Sequence, residues 1–116
     1  MSNEPSVSYE DFKKLDIRVG LVIEAEDLEK SDHLLKLKVD VGEKEPRQIL
    51  AGLKGYYTPK QLLNRKVIVL VNLQPRKMMG LESQGMLLAA DVEDKPFLLK
   101  LPKGDMKSIP PGTPIL

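Results

Sequence analysis

With 116 residues, 41% of them apolar and 30% charged, and a formal net charge of +1, the chain has enough apolar content for one core and is too short for two. The absence of cysteine excludes disulfides and thiolate metal sites and fits a reducing compartment. No apolar run approaches the roughly 20 residues that cross a bilayer, and the acidic, polar start MSNEPSVSYED is unlike a signal peptide, so a cytoplasmic protein with no membrane association is expected.

Residues 1–7 read as a disordered lead and residues 8–116 as the folded domain. Ser8 as N-cap, with Asp11 three positions on, predicts a short helix over SYEDFKKL. The period then changes. Leu15, Ile17, Val19, Leu21, Ile23 and Ala25 alternate with Asp16, Arg18, Gly20, Val22, Glu24 and Glu26, as in a long strand that buries the first set. Gly20, in mid-strand, reads as a bend or bulge, and Arg18 beside Asp16 as a structural pair. After an acidic turn over residues 27–32, a second, antiparallel strand places Leu35, Leu37, Val39 and Val41 inward and Lys36, Lys38 and Asp40 outward. GEKEP is a turn and residues 47–52 a third strand. Thr58, Pro59 and Gln61 supply the N-cap, N1 and N3 of a short helix that ends near Asn64. Residues 66–72 form strand four. Residues 86–90, apolar on both faces, predict a central or covered strand five, and residues 97–101 a sixth. The Pro- and Gly-rich tail is expected to be extended and pinned.

Three strands, a short helix and two strands is the order of an all-β OB-fold, a five-stranded Greek-key barrel, here with short helices and a C-terminal extension. An SH3-like or other small barrel fits the same order. Fold alone does not establish function.

Function is concentrated in residues 72–86, NLQPRKMMGLESQGM, between strands four and five. Pro75 and Gly80 interrupt both strands, Arg76 and Lys77 supply charge, and Asn72, Gln74, Ser83 and Gln84 supply donors and acceptors. Residues 47–81 contain no Asp or Glu but carry Arg47, Lys54, Lys60, Arg65, Lys66, Arg76 and Lys77, whereas residues 1–46 sum to −5 and residues 82–116 to −1. Such a distribution predicts one electropositive face suited to phosphates. Met79 reads as core filler, Met86 equally as core or contact, and Ser83 as a contact in preference to a turn-closing hydroxyl.

LDIRVG at residues 15–20, LAGLKGYYTP at 50–59 and, above all, NLQPRKMMGLESQGM resemble the tRNA-binding domain family over about residues 10–116. That family includes the C-terminal domain or separate beta subunit of methionyl-tRNA synthetase, free-standing dimeric tRNA-binding proteins and the mammalian endothelial monocyte-activating polypeptide domain. The resemblance implies an OB-fold, a homodimer built through the terminal elements, and non-catalytic tRNA binding in support of a methionyl-tRNA synthetase catalytic chain. It assigns tRNA contact to Asn72, Arg76, Lys77, Ser83 and Met86. Many relatives carry lysine where this chain has His33, so a basic contact there passes to Lys30 or Lys36. The alternative reading is a protein-interaction domain or a chaperone, similar to a related family of dimeric OB-fold chaperones.

With three Tyr, two Phe and no Trp, the chain has few platforms for stacking single-stranded bases, so folded RNA recognised by phosphates and shape is expected. Tyr56 and Tyr57 read as packing with a capped hydroxyl rather than as stacking rings. Catalysis finds no support in the sequence: His33 stands alone, no ligand cluster has metal spacing, Asp91, Glu93 and Asp94 form a polar turn, and no cofactor is implied.

Overall fold

The computed structural model describes residues 5–102 and 109–116. Most of the predicted lead, and the start of the tail, lie outside that range. Among the described residues, two short helices, α1 (Tyr9–Lys13) and α2 (Pro59–Leu62), accompany nine strands: β1 (Ile17–Asp27), β2 (Leu35–Asp40), β3 (Arg47–Ala51), β4 (Lys66–Leu70), β5 (Arg76–Met78), β6 (Leu81–Ser83), β7 (Met86–Leu87), β8 (Ala89–Val92) and β9 (Lys95–Leu98). The antiparallel sheet β3-β2-β1-β4-β7 curls into a nearly closed five-stranded barrel, the OB-fold. β5–β6 and β8–β9 are separate two-stranded ribbons.

The helix ends follow from their caps. The Ser8 hydroxyl accepts from the Asp11 N–H at 3.0 Å. Thr58 and Gln61 form a reciprocal capping box with Pro59 in the first turn, and Leu62 is carried fully buried into the core. Alternation also holds in β2, where Leu35, Leu37 and Val39 are fully buried. They pack with Val22, Val41, Ile49, Leu62, Val67, Val69 and Val71 in one cluster.

β1 differs from its predicted register. Val22, not Ile23, belongs to the core, and a bulge between Val22 and Glu24 resets the phase so that Ala25 packs against it. Gly20 is not the bulge. A Cβ there would lie 2.6 Å from Val39 Cγ1 and 2.9 Å from Val69 Cγ2, so glycine is required by close packing. The free edge of β1 at Ile17 and Val19 is taken by the C-terminal segment instead. The Val19 N–H donates to Thr113 O, the Gly112 N–H to Val19 O and the Ile115 N–H to Ile17 O, each at 2.8 Å. The same segment meets the turn after β2: a Cβ on Gly112 would lie 2.8 Å from the Cα of Gly42. The described tail is thus pinned, but it turns at residues 110–113, with Gly112 at φ 92°, rather than running extended throughout.

The predicted strand five is also corrected. β7 pairs with β4 through Val69↔Leu87 and Leu70↔Met86. The chain then leaves the barrel and turns at Glu93 and Asp94, both with positive φ, to run β8 against β9. All four β8 residues are exposed rather than central. The predicted sixth strand, residues 97–101, is shifted: β9 is Lys95–Leu98 and shares only Phe97 and Leu98 with it.

Candidate nucleic-acid interface

Residues 72–86 are more ordered than a loop. β5 and β6 form a hairpin with the register Arg76↔Ser83, Lys77↔Glu82 and Met78↔Leu81. Met79 and Gly80, at φ 54° and 78°, occupy the two-residue turn, as a type I′ connection requires. Met79 stands 52% exposed at the tip, which corrects its reading as core filler.

Strand alternation places Arg76 and Lys77 on opposite faces of the ribbon. Arg76 shares its face with Met78, Leu81 and Ser83, and it lines a groove of about 290 Å³ together with Leu50, Leu53, Met78, Met86 and Ala89. Met86 is 41% exposed in that groove. Lys77 faces outward opposite Glu82, a carboxylate just beyond the acid-free segment.

Two other members of the expected site have their polar atoms engaged within the fold. Ser83 is 4% exposed; its hydroxyl accepts from the Leu50 N–H at 3.0 Å and donates to Gly85 O at 3.1 Å. This turns the preferred contact reading of Ser83 into a structural one. Asn72 Oδ1 accepts from the Asp16 N–H at 2.8 Å while Nδ2 donates to Lys14 O at 2.6 Å, joining the hairpin stem to the entry of β1. The two lysines offered in place of a His33 contact lie in different places. Lys36 pairs with its cross-strand neighbour Glu26 at 2.9 Å. Lys30 borders a cleft that reaches Met79 at the hairpin tip but also includes Glu26, Asp27 and Glu29.

The basic segment is likewise divided. Lys60, Arg76 and Lys77 are exposed. Lys54 Nζ donates to Leu28 O and Ser31 O, holding the turn after β1. Arg65 lies 5.2 Å from the centroid of the Tyr57 ring, and the Tyr57 hydroxyl accepts from the Leu98 N–H at 3.1 Å. Arg47 is gripped by Glu43 at 2.7 and 3.0 Å. That bond raises the Arg47 pKa and lowers the Glu43 pKa below its ordinary value. Arg18 is held by Asp16 in the same forked manner, at 2.9 and 2.8 Å, as its sequence context suggests.

What the sequence did not reveal is how the hairpin is seated. The Gln84 N–H donates to Gln48 O at 2.7 Å, the Gln48 N–H to Gln84 Oε1 at 2.9 Å, and Gln48 Nε2 to Glu82 O at 2.9 Å. These bonds fasten the hairpin to β3. The partners lie more than 30 residues apart, and no local pattern announces them.

Fold and site together define a small β-barrel binding module that presents a basic hairpin above an apolar groove. Residues 17–113 match the family described as "Putative tRNA binding domain", and the chain belongs to that family. It is 50% identical over 104 residues to the methionine–tRNA ligase of Methanosarcina mazei, covering 90% of this chain and 14% of that protein. Against the Archaeoglobus fulgidus methionine–tRNA ligase the identity is 47% over 113 residues, 97% of this chain and 16% of the relative. The chain therefore spans only a small part of the length of these curated relatives. Among solved structures, a MetRS-related protein from Pyrococcus horikoshii superposes with a TM-score of 0.86 at 37% identity, covering 97% of this chain and all of that one. The CsaA chaperone protein of Picrophilus torridus gives 0.82 at 30% identity, covering 96% and 100%.

Proposed function

We propose that the chain captures structured tRNA through the β5–β6 hairpin and the groove beside it, as a binding module that assists a methionyl-tRNA synthetase. The observation that carries this reading is the exposed guanidinium of Arg76 at an apolar groove that also holds Met86. Arginine gives forked hydrogen bonds to a phosphate, while the apolar wall accepts a ribose or base face. Lys77 adds charge from the other face of the ribbon. Ser83 and Asn72 act from behind the surface, holding the hairpin in place. The role is binding and orientation; the chemistry belongs to the synthetase.

Few exposed rings flank this surface, so shape and phosphate recognition should exceed base stacking. In competition filter binding, intact tRNAs of different species should compete comparably, and an unstructured oligonucleotide of equal length should compete poorly. Equal competition by the oligonucleotide overturns the reading.

The likeness to the CsaA chaperone protein favours a second reading, in which the groove receives an unfolded polypeptide. Parallel titrations with tRNA and a reduced, unfolded protein separate the two. Tight binding of the polypeptide with no binding of tRNA would favour the chaperone.

A further inference from the structure

We propose that Arg47 and Glu43 form a clamp that positions the tRNA-binding hairpin, so that Arg47, although it lies in the acid-free basic segment, acts on tRNA only through the hairpin. The inference rests on the reading of that hairpin as the tRNA site.

The geometry is specific. Arg47 opens β3, and Glu43 lies in the turn before it. Arg47 Nη1 donates to Val71 O at 2.7 Å and to Gln84 O at 3.1 Å. Val71 precedes the hairpin segment and Gln84 follows β6, so one nitrogen bridges the two stems. Nε and Nη2 are occupied by the two oxygens of Glu43, at 2.7 and 3.0 Å. A guanidinium has five N–H donors. Four are spent inside the fold, which leaves little of the fork for a phosphate. Glu43 is in turn approached by Arg18 Nη1 at 3.8 Å, and Arg18 donates to Val41 O at 3.1 Å. The opposite side of the same stem is tied to β1, because the Val71 N–H donates to Asp16 O at 2.8 Å.

The clamp and simple electrostatics make opposite predictions at Glu43. Removing an acid near a site for a polyanion should strengthen binding if charge alone matters. If Glu43 holds the arginine that holds the hairpin, removing it should weaken binding. A positioning residue also leaves the number of phosphate contacts unchanged, and that number sets the salt dependence.

The test is tRNA affinity across a salt series for the wild type, Glu43→Gln, Arg47→Lys, Arg47→Ala and Arg76→Ala, with amide hydrogen exchange of the same proteins. Glu43→Gln and Arg47→Lys should each weaken binding roughly threefold and Arg47→Ala on the order of tenfold, from the loss of charge-assisted bonds. Their salt slopes should match the wild type, whereas Arg76→Ala should lower the slope by about 0.7 to 0.9. Exchange should accelerate in β5 and β6 of the Glu43 and Arg47 variants but not between β1 and β2. Unchanged or tighter binding by Glu43→Gln overturns the clamp, as does an Arg47→Lys hairpin that exchanges like the wild type. If Arg76→Ala changes neither affinity nor slope, the hairpin is not the tRNA site and the functional reading fails, while the exchange measurement still decides the clamp. Should Arg47→Ala fail to fold, Arg47→Lys and Glu43→Gln carry the test.

Discussion

Arg76 and Lys77 are neighbours in sequence but face different surroundings, and their variants should separate accordingly. Arg76 looks into the groove beside Met86, while Lys77 stands across the ribbon from Glu82, which offsets part of its charge. Arg76→Ala should therefore cost more tRNA affinity than Lys77→Ala. Both changes are on exposed residues, and their melting temperatures should stay close to the wild type because such substitutions usually shift stability by within about 0.5 kcal/mol. Equal losses of affinity would show that only summed charge matters. Glu43 permits a pH prediction. Its bond to Arg47 lowers its folded pKa below the ordinary 4.5, so it binds fewer protons in the folded than in the unfolded state through that window. The stabilisation is fully present above the ordinary carboxylate value and is lost as pH falls through the depressed folded value. Acid melting of Glu43→Gln should consequently be less pH-dependent there than that of the wild type; parallel curves would contradict this.

Among the elements, β1 combines the most constraints. Its first half pairs with β4 on one edge and with the C-terminal segment on the other, and its second half pairs with β2. Gly20 lies where these pairings change over, with Val39 and Val69 pressed against the space a Cβ would need. Gly20→Ala should destabilise the protein by about 1 to 3 kcal/mol, the usual cost of forcing extra volume into a packed core. Denaturant unfolding measures this directly. A stability equal to the wild type would mean that the barrel relaxes at this point. β2 was legible in advance because one of its faces meets the core and the other does not. The phase of β1 was not, since a bulge between Val22 and Glu24 shifts it and the edge at Ile17 and Val19 is taken by a segment more than 90 residues away in the chain.

At the scale of the whole molecule, the β8–β9 ribbon leaves the barrel and carries Val92 at 54% and Phe97 at 53% exposure. Tyr9 and Phe12 of α1 are also exposed. Exposed apolar ribbons favour burial against a second surface, and we propose a homodimer as the partner arrangement. Light scattering at micromolar concentration should give twice the monomer mass, and Phe97→Asp should return it to the monomer. A wild-type monomer would sink the proposal. Membrane crossing by a helix is a separate matter: among the described residues, no helix is long and apolar enough for it.

The sequence by itself determined the short-range features of this protein. The caps at Ser8 and Thr58, the alternation of β2 and the chain order of the first four barrel strands were all visible, because periods and caps involve residues within a few positions of one another. The 72–86 motif likewise identified the family and directed attention to Arg76. Tertiary structure decided the rest. It turned Lys77 away from Arg76, buried the Ser83 hydroxyl, engaged Asn72 with the entry of β1 and converted Arg47 from a surface charge into an internal bond donor. The last three outcomes depend on a partner far along the chain, and a charge or hydroxyl has the same composition whether it meets solvent or a distant carbonyl. Only the folded barrel brings Val71 and Gln84 within reach of one guanidinium.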